Sequence, residues 1–348
     1  MKKKSKYNVA IMGATGAVGE EMLKILEQRD FPVGQLKLLA SARSAGKKYN
    51  FKGRETTVEE LKEDSFSASS GKGIDIVLAS AGGLISKKFA PLAVKEGAVV
   101  IDNTSAFRMD PEVPLVIPEI NPKDIKKNHG IIANPNCSTI IMLVPVYPIH
   151  KAFGVKRLLV STYQSASGAG AKAMKELEDQ SRDVLEGRPA KKEVFPYQIA
   201  FNLFSHNSVI RDDGYNEEEI KMIQETKKIF HNKKIRIAAT AVRVPVFRAH
   251  SETIYLELKK EPDLDAVRRV LAAAPGVKIV DDQDKNYFPM PLEASGQDDV
   301  LVGRIRKDLS SPKGLCLFVS GDQLRKGAAL NAVQIAEILC KTKVQYVH

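Results

Sequence analysis

The stretch from Gly13 to Gly19, GATGAVG, constrains this chain more than any other, because of what flanks it. Before it lies an apolar run, Tyr7 to Met12, and after it Val18, Met22, Ile25 and Leu26 recur on one helix face. Strand, glycine turn and helix in that order open a βα unit. Glycines at such a turn let the backbone approach a pyrophosphate lying at the helix N-terminus, where unpaired N–H groups and the helix dipole favour an anion. The spacing is GxxGxxG rather than GxGxxG, which leaves the turn geometry open. A plain tight turn is the alternative, and the flanking strand and helix favour a dinucleotide site.

The same rhythm continues. Apolar runs at Leu36 to Ala40, Ile74 to Ala79, Val99 to Asp102, Leu115 to Ile117 and Gly130 to Ala133 read as strands, with helical stretches such as Lys87 to Lys95 between them. Alternation of this kind predicts an α/β fold with a parallel sheet covered on both faces, an N-terminal Rossmann-like domain over residues 1–136. Beyond residue 137 the texture changes. Longer strands are expected at Lys156 to Tyr163, Lys234 to Val244, Ser251 to Lys259 and Leu315 to Ser320, and helices at Ala171 to Glu186, Asn216 to Phe230 and Leu264 to Ala274. That is an α+β domain, 137–325, around a mixed or antiparallel sheet. An amphipathic helix from Ala328 to Lys341 would return to the first domain, which then also holds 326–348.

A length of 348 residues suits two such domains. Lys and Arg number 53 against 42 Asp and Glu, a net charge of +11, so a partner bearing phosphate or carboxylate is expected. The basic residues are scattered, Trp is absent, and neither an RNP-like aromatic box nor a Cys/His metal spacing occurs. A small molecule is therefore favoured over nucleic acid, and no metal is expected. Residues 130–149 carry no Lys, Arg, Asp or Glu, yet Asn134, Pro135, Asn136, Pro145 and Pro148 interrupt them. A buried strand, a turn and a buried helix fit better than a membrane span. The N-terminal apolar run is broken by Gly13, Gly16 and Gly19, so no secretion signal is expected. Three widely spaced cysteines fit a reducing compartment, the cytoplasm by default.

An NAD-preferring site would put Asp or Glu near the end of the second strand to hold the ribose 2′-hydroxyl. Residues 36–46 read LKLLASARSAG instead, and Arg43, flanked by Ser41 and Ser44, suits the 2′-phosphate of NADP. Cys137 follows Asn134-Pro135-Asn136 and begins an apolar helix. A thiol at a helix N-terminus is stabilised as thiolate, the setting of reactive cysteines. Cys316 and Cys340, among apolar residues, are expected to be buried and inert. A nucleophilic cysteine needs a proton carrier, and His250 stands out among six histidines, following the bend at Pro245.

These residues lie within a longer ordered set: SARSAGK at 41–47, SAFRM at 105–109, PNCST at 135–139, YQSASGAG at 163–170, EEIK at 218–221, RVPVFRAHSE at 243–252, GRIRKD at 303–308 and KGAALN at 326–331. With GATGAVG they make the chain resemble the aspartate-semialdehyde dehydrogenase family over essentially its full length. Thr104 stands where that pattern has Ser, keeping the hydroxyl, and Pro145 within the helix after Cys137 is unexpected.

The resemblance implies reversible, NADPH-dependent reductive dephosphorylation of L-aspartyl-4-phosphate to L-aspartate-4-semialdehyde, on the path to lysine, diaminopimelate, methionine and threonine. It implies that Cys137 forms the thioester, that His250 is acid/base catalyst, that Gln164 holds the acyl group and that Asn136 helps with the oxyanion. Arg108 and Lys221 would bind phosphate, Arg243 the α-carboxylate and Glu218 the α-ammonium. Gly13, Thr15, Gly16, Ala17, Val18, Arg43, Ser44, Ser167, Gly168 and Asn331 would contact NADP. The second domain would be catalytic and form a homodimer, or a tetramer, through its sheet. Two alternatives stay open: N-acetyl-glutamyl-phosphate reductase, whose nucleophile motif runs Gly-Cys-Tyr-Pro-Thr, and a non-catalytic NADP-binding regulator.

Overall fold

The computed structural model describes residues 4–67 and 73–341. The chain divides into two compact units, Met1–Asn136 with Ala328–His348, and Cys137–Gly327. In the first, β1 (Tyr7–Met12), α1 (Ala17–Gln28), β2 (Val33–Ala40), β3 (Lys48–Phe51), β4 (Arg54–Glu60), β5 (Ile76–Ala79), α2 (Gly83–Lys95), β6 (Val99–Asp102) and β7 (Ile131–Ala133) follow in order. The sheet runs β3-β4-β2-β1-β5-β6-β7, parallel throughout except for the β3–β4 hairpin. Strand periodicity sorts the side chains. Val9 and Ile11 enter the core shared with Met22, Ile25 and Leu26 of α1 and with the C-terminal helix, whereas Ala10 and Met12 pack with Phe89, Ala90 and Ala93 of α2. Because β1 is flanked by β2 and β5, the strand order reverses at its carboxyl end, where doubly wound sheets bind ligands.

In the second unit, α3 (Cys137–Phe153), β8 (Val155–Gln164), α4 (Ala171–Leu185), β9 (Phe204–Ser205), α5 (Glu217–Ile229), β10 (Arg236–Arg243), β11 (His250–Leu258), α6 (Leu264–Ala272), β12 (Val277–Ile279), α7 (Pro291–Ala294), β13 (Val300–Lys307) and β14 (Gly314–Gly321) succeed one another, before α8 (Leu330–Lys341) rejoins the first unit. Its sheet, β12-β13-β14-β11-β8-β10-β9, is mixed: β8 is parallel to β10 and antiparallel to β11. The helix α3 is buried continuously from Ser138 to Val146, as a helix apolar all round must be, and packs on β8, β11, β13 and β14 and against α5 and α6. The other face of the sheet is half open, with Tyr163, Thr253, Tyr255, Cys316 and Phe318.

Two sequence expectations need correction. Leu115 to Ile117 is not a strand; its apolar residues are buried, but pairing is limited to one parallel bridge, Leu115 to Ala133. Cys316 and Cys340 are only partly buried; the strand position of Cys316 faces the open side of its sheet, and Cys340 lies at the edge of the first unit's core near the end of α8. The β3–β4 hairpin and the β12–β13 pair were not anticipated. The hairpin turns at Lys52-Gly53, both at positive φ, between strands too polar to show an apolar run.

Glu252, the third residue of β11, is fully buried opposite Thr162 of β8 and Val319 of β14, and neither carboxyl oxygen has a hydrogen-bond partner. Burial therefore raises its pKa well above the carboxylate range and holds it neutral. In the unfolded chain the same group ionises above its ordinary value of 4.5, so it favours unfolding increasingly as pH rises through that point. Glu252→Gln should be more stable than the parent at pH 7. The advantage should grow by up to about 1.4 kcal/mol per pH unit above roughly 4.5 and disappear below it, read from urea midpoints across pH. A gain that does not depend on pH would mean that Glu252 is ionised in the folded chain.

Candidate active site

In the first unit the glycine loop is shaped by close contacts. A Cβ on Gly13, whose φ is +92°, would lie 2.7 Å from the carbonyl oxygen of Ser80, and one on Gly19 would lie 2.2 Å from that of Gly13. No side chain larger than hydrogen fits either position. Gly16, by contrast, is the N-cap of α1, makes no side-chain cap and is exposed, with only the Gly13 oxygen near its Cβ direction. The loop thus leaves the first N–H groups of α1, at Ala17, Val18 and Gly19, without a side-chain cap. A phosphate fits this cradle. Thr15, Ala17 and Val18 are partly exposed around it. The strand β2 ends at Ala40 and passes into a 3-10 turn, Ala42–Ser44, in which Arg43 is exposed and Ser44 buried.

Arg108 and Asn331 lie deeper in this unit. Arg108 is buried, its Nε donating to the Asn134 carbonyl and its Nη2 to the Asn103 carbonyl, both at 2.9 Å. Asn331, fully buried near the start of α8, donates through Nδ2 to the Val116 carbonyl at 3.0 Å and to Asn134 Oδ1 at 2.6 Å. Its amide nitrogen ties α8 to the loops before α3. Asn136, buried, ends this stretch of the unit, and Cys137 follows it as the first residue of α3.

The second unit brings together the sulfur and the residues at the ends of β8, β10 and β11. The Sγ of Cys137 lies 3.6 Å from Nε2 of His250. The imidazole is fully buried, and that burial, followed by the charge of Arg243, pushes its pKa down to about 3. His250 is therefore neutral near pH 7. Its Nδ1 accepts from the Ser165 backbone N–H at 3.1 Å, with Ser165 Oγ at 3.0 Å, so the ring proton belongs on Nε2, facing the sulfur. Behind it, Ser165 Oγ is 3.1 Å from Ser167 Oγ, which accepts from Gln323 Nε2, and Gln323 Oε1 in turn accepts from the Ala249 N–H at 2.8 Å. Two glycines leave room. A Cβ on Gly168 would stand 3.1 Å from His250 Nε2 and 3.3 Å from Arg243 Nη1, and one on Gly327 would stand 3.0 Å from the Cys137 Cβ.

Arg243 ends β10 opposite Gln164, its register partner at the end of β8. Its Nη1 donates to the Ser165 carbonyl at 2.7 Å, its Nη2 lies 2.9 Å from His206 Nε2, and its charge centre sits 5.4 Å over the Phe195 ring. Its Nε–H is buried without a partner in the protein. A guanidinium left with an unpaired donor is a site for an anion, because an unmade bond to a buried charged group is costly. Gln164 Nε2 donates to Ser138 Oγ at 3.0 Å and Thr162 Oγ1 at 3.3 Å, linking β8 to the first turn of α3. Glu218 is buried in the first turn of α5 and lies 3.3 Å from Lys221 Nζ. That turn is held by a capping box between Asn216 and Glu219, and Glu219 Oε1 also accepts from the Ala241 N–H of β10 at 2.9 Å.

Among the expected site residues, Cys137, Gln164, Ser167, Gly168, Glu218, Lys221, Arg243 and His250 thus lie in the second unit. Gly13, Thr15, Gly16, Ala17, Val18, Arg43, Ser44, Arg108, Asn136 and Asn331 lie in the first. Sequence reasoning missed His206, Gln323 and Glu219. Only the S/T/D/N-x-x-E capping pattern at Asn216 could have pointed to Glu219; nothing local marks the other two.

Residues 8–128 match the family model described as semialdehyde dehydrogenase, NAD binding domain, and residues 123–326 match semialdehyde dehydrogenase, dimerisation domain. An NAD(P)-binding domain followed by a unit with a Cys–His pair defines an oxidoreductase of the semialdehyde dehydrogenase class. The chain is 58% identical to the aspartate-semialdehyde dehydrogenase of Synechocystis sp. over 335 residues, which cover 96% of this chain and 98% of that one. It is 55% identical to that of Aquifex aeolicus over 339 residues, again 96% and 98% of the two chains. The crystal structure of aspartate semialdehyde dehydrogenase II from Vibrio cholerae, complexed with ASA, matches with a TM-score of 0.94 and 47% identity over 98% of this chain and 100% of that one. The chain therefore belongs to the aspartate-semialdehyde dehydrogenase family. No helix among the described residues is long and apolar enough to cross a membrane.

The three thiols differ in setting. Burial pushes Cys340 up to about 12 and also raises Cys316, whereas Cys137 stands at a helix N-terminus beside an imidazole N–H. At pH 7.5 iodoacetamide should label Cys137 at least about 10-fold faster than either, because the thiolate is the reactive form. Peptide mass spectrometry of a time course measures this, and comparable rates at all three would remove the special character of Cys137.

Proposed function

We propose that this chain catalyses the reversible, NADPH-dependent reductive dephosphorylation of L-aspartyl-4-phosphate to L-aspartate-4-semialdehyde, in the biosynthesis of lysine through diaminopimelate, methionine and threonine. The observation that carries this reading is the pair of Cys137 Sγ and His250 Nε2 at 3.6 Å, in the same unit as an anion-seeking Arg243 and a buried Glu218.

The thiolate of Cys137 attacks the acyl carbon, a C–S bond forms, the C–O bond to phosphate breaks, and a thioester remains. Thioester formation matters because a carboxylate resists hydride. Arg108 and Lys221 receive the leaving phosphate, Arg243 pairs with the α-carboxylate and Glu218 with the α-ammonium. His250 Nε2–H, hydrogen-bonded to the sulfur at rest, donates to the oxygen on which charge develops after attack, and Gln164 and Asn136 support the same acyl group. When bound, NADPH would supply a hydride to the thioester carbon. The C–S bond then breaks and the thiolate is regenerated. The glycine loop and the N-terminus of α1 would hold the pyrophosphate, Arg43 and Ser44 the 2′-phosphate, and Ser167 and Gly168 the nicotinamide end. Preference for NADP rests on Arg43 and on the lack of an acidic residue where β2 ends. A homodimer formed through the half-open face of the second sheet, in the cytoplasm, completes the reading.

The decisive assay is phosphate-dependent reduction of NADP with aspartate semialdehyde. Cys137→Ala should abolish it, and His250→Ala should lower kcat by about 10²- to 10⁴-fold with a smaller change in KM. Aspartate semialdehyde should be preferred over N-acetyl-glutamate semialdehyde by at least about 10²-fold in kcat/KM, since an added methylene displaces the acyl carbon and acetylation removes the ammonium. Equal use of both aldehydes would transfer the assignment to the acetylglutamyl-phosphate reductases, and no reaction with either would favour a regulator. Separately, Arg43→Glu should weaken NADP by about 10-fold or more while leaving NAD nearly unaffected. Equal losses would mean that Arg43 does not meet the 2′-phosphate.

A further inference from the structure

The substrate-binding reading leaves one neighbour of Arg243 without a task. His206 follows β9 directly and is held between two elements that carry substrate contacts. Its Nε2 is 2.9 Å from Arg243 Nη2, and its Nδ1 is 3.1 Å from Ser208 Oγ. A guanidinium has only donors, so Nε2 must be the bare, accepting nitrogen and Nδ1 must carry the proton. The Nδ1–H then donates to Ser208 Oγ, and that oxygen also accepts from the Glu218 backbone N–H at 3.2 Å. The Ser208 N–H, 3.2 Å from Nδ1, competes for the same nitrogen, but a shorter bond from a cation outweighs it.

We propose that His206 is a positioning residue for recognition of the amino-acid head: as a neutral acceptor it aims the Arg243 guanidinium and, through Ser208, couples it to the turn that carries Glu218. The proposal rests on Arg243 and Glu218 being the contacts for the α-carboxylate and α-ammonium. Three observations bear it. The Ser165 carbonyl and His206 hold the two terminal nitrogens of Arg243 from different elements, and its charge centre lies 5.4 Å over the Phe195 ring, so the direction of Nε–H is set by partners rather than by the flexible side chain. Burial pushes the pKa of His206 down to about 4, which keeps the imidazole neutral and able to accept. The Ser208 link joins loop and helix without involving Cys137 or His250, so it acts on binding and not on the chemical step. A histidine does here what a carboxylate cannot. It orients the cation without neutralising it, and Arg243 keeps its charge for the substrate.

The test is steady-state kinetics of the full chain in the phosphorylating direction, with aldehyde, phosphate and NADP varied in turn. His206→Leu deletes the acceptor, His206→Gln places an amide oxygen near the Nε2 position, and His206→Asn is too short to reach. For Leu and Asn the KM for aspartate semialdehyde should rise by about 10-fold or more, with kcat and the KM values for phosphate and NADP within about 3-fold of the parent, and Gln should restore the aldehyde KM to within about 3-fold. Should the Leu variant fail to fold, the Gln–Asn contrast decides alone. An unchanged aldehyde KM, a parallel rise for all three substrates, or equal behaviour of Gln and Asn would overturn the proposal. Arg243→Lys, run alongside, separates the two layers. If it raises the aldehyde KM and the His206 variants do not, only the role of His206 falls; if it too leaves that KM unchanged, the substrate contact at Arg243 falls with it.

Discussion

The hydrogen bond from the Ser165 backbone N–H to His250 Nδ1 governs the chemistry of the second unit. It joins the residue just after β8 to the imidazole of the first residue of β11, and the antiparallel pairing of these two strands brings the two together. That N–H can only donate, and among the described residues no cationic donor competes for Nε2 of this ring as Arg243 does at His206. Nδ1 therefore accepts, a neutral ring must carry its proton on Nε2, and that proton faces Cys137. Burial supplies the neutrality. In water the imidazole would be partly protonated near pH 6.5, whereas desolvation and the Arg243 charge push it to about 3.

The other groups sit where they do because of the register. Gln164 and Arg243 are partners at the ends of β8 and β10, and the chain then turns through Pro245 to bring His250 back at the start of β11. The Val244 N–H bonds to the Gln164 carbonyl, and the Ala166 and Ser167 N–H groups bond to the carbonyls of Val246 and Phe247, so the two loops zip together beyond the sheet. Rigid strand ends thus present Gln164, Arg243 and His250 within a few residues of one another. Helices supply the rest: α3 delivers Cys137 at its N-terminus, and α5 delivers Glu218 and Lys221 from a capped first turn. Main-chain groups of Ser165, just beyond β8, fix both His250 and Arg243, and the Ser138 and Thr162 hydroxyls fix Gln164.

What the sequence made legible was local. The strand–glycine–helix opening, the Pro135-Asn136-Cys137 start of a helix and the Pro245 bend before His250 all announce themselves through residues whose backbone preferences are strong. The charge-free stretch that becomes β7 and α3 could be read because a run so apolar has to be buried. Other features had no such signal. The β3–β4 hairpin is polar on both strands, and in β13 the apolar run Val300 to Val302 is only three residues long before Gly303, Arg304, Arg306 and Lys307 break the pattern. Leu115 to Ile117 misled for the opposite reason, since apolar residues can be buried by a loop that crosses a sheet's edge with a single bridge. His206 and Gln323 were invisible because they act through tertiary contacts with Arg243 and with Ala249 and Ser167, to which no spacing along the chain corresponds.

The polarity of the second unit has a cost that the fold distributes. Ser165, Ser167, Gln164, His250, Arg243 and Gln323 are all at least nine-tenths buried, and each would be destabilising alone. They are tolerable because the protein pairs most of their donors and acceptors internally: the serines with each other and His250, Gln323 with Ala249 and Ser167, Gln164 with Ser138 and Thr162. The exception is the Nε–H of Arg243. An otherwise satisfied network with one unpaired cationic donor concentrates its deficit at a single point, and in the proposed function the substrate α-carboxylate would remove that deficit. Such binding would gain twice, from the new charge-assisted bond and from relief of a penalty the free protein carries. The neutral state of both His206 and His250 preserves this arrangement: if either imidazole were protonated beside Arg243, its charge would oppose the guanidinium, and for His206 the accepting lone pair would be lost. Burial of two neutral histidines and burial of one unpaired cationic donor are thus parts of the same arrangement.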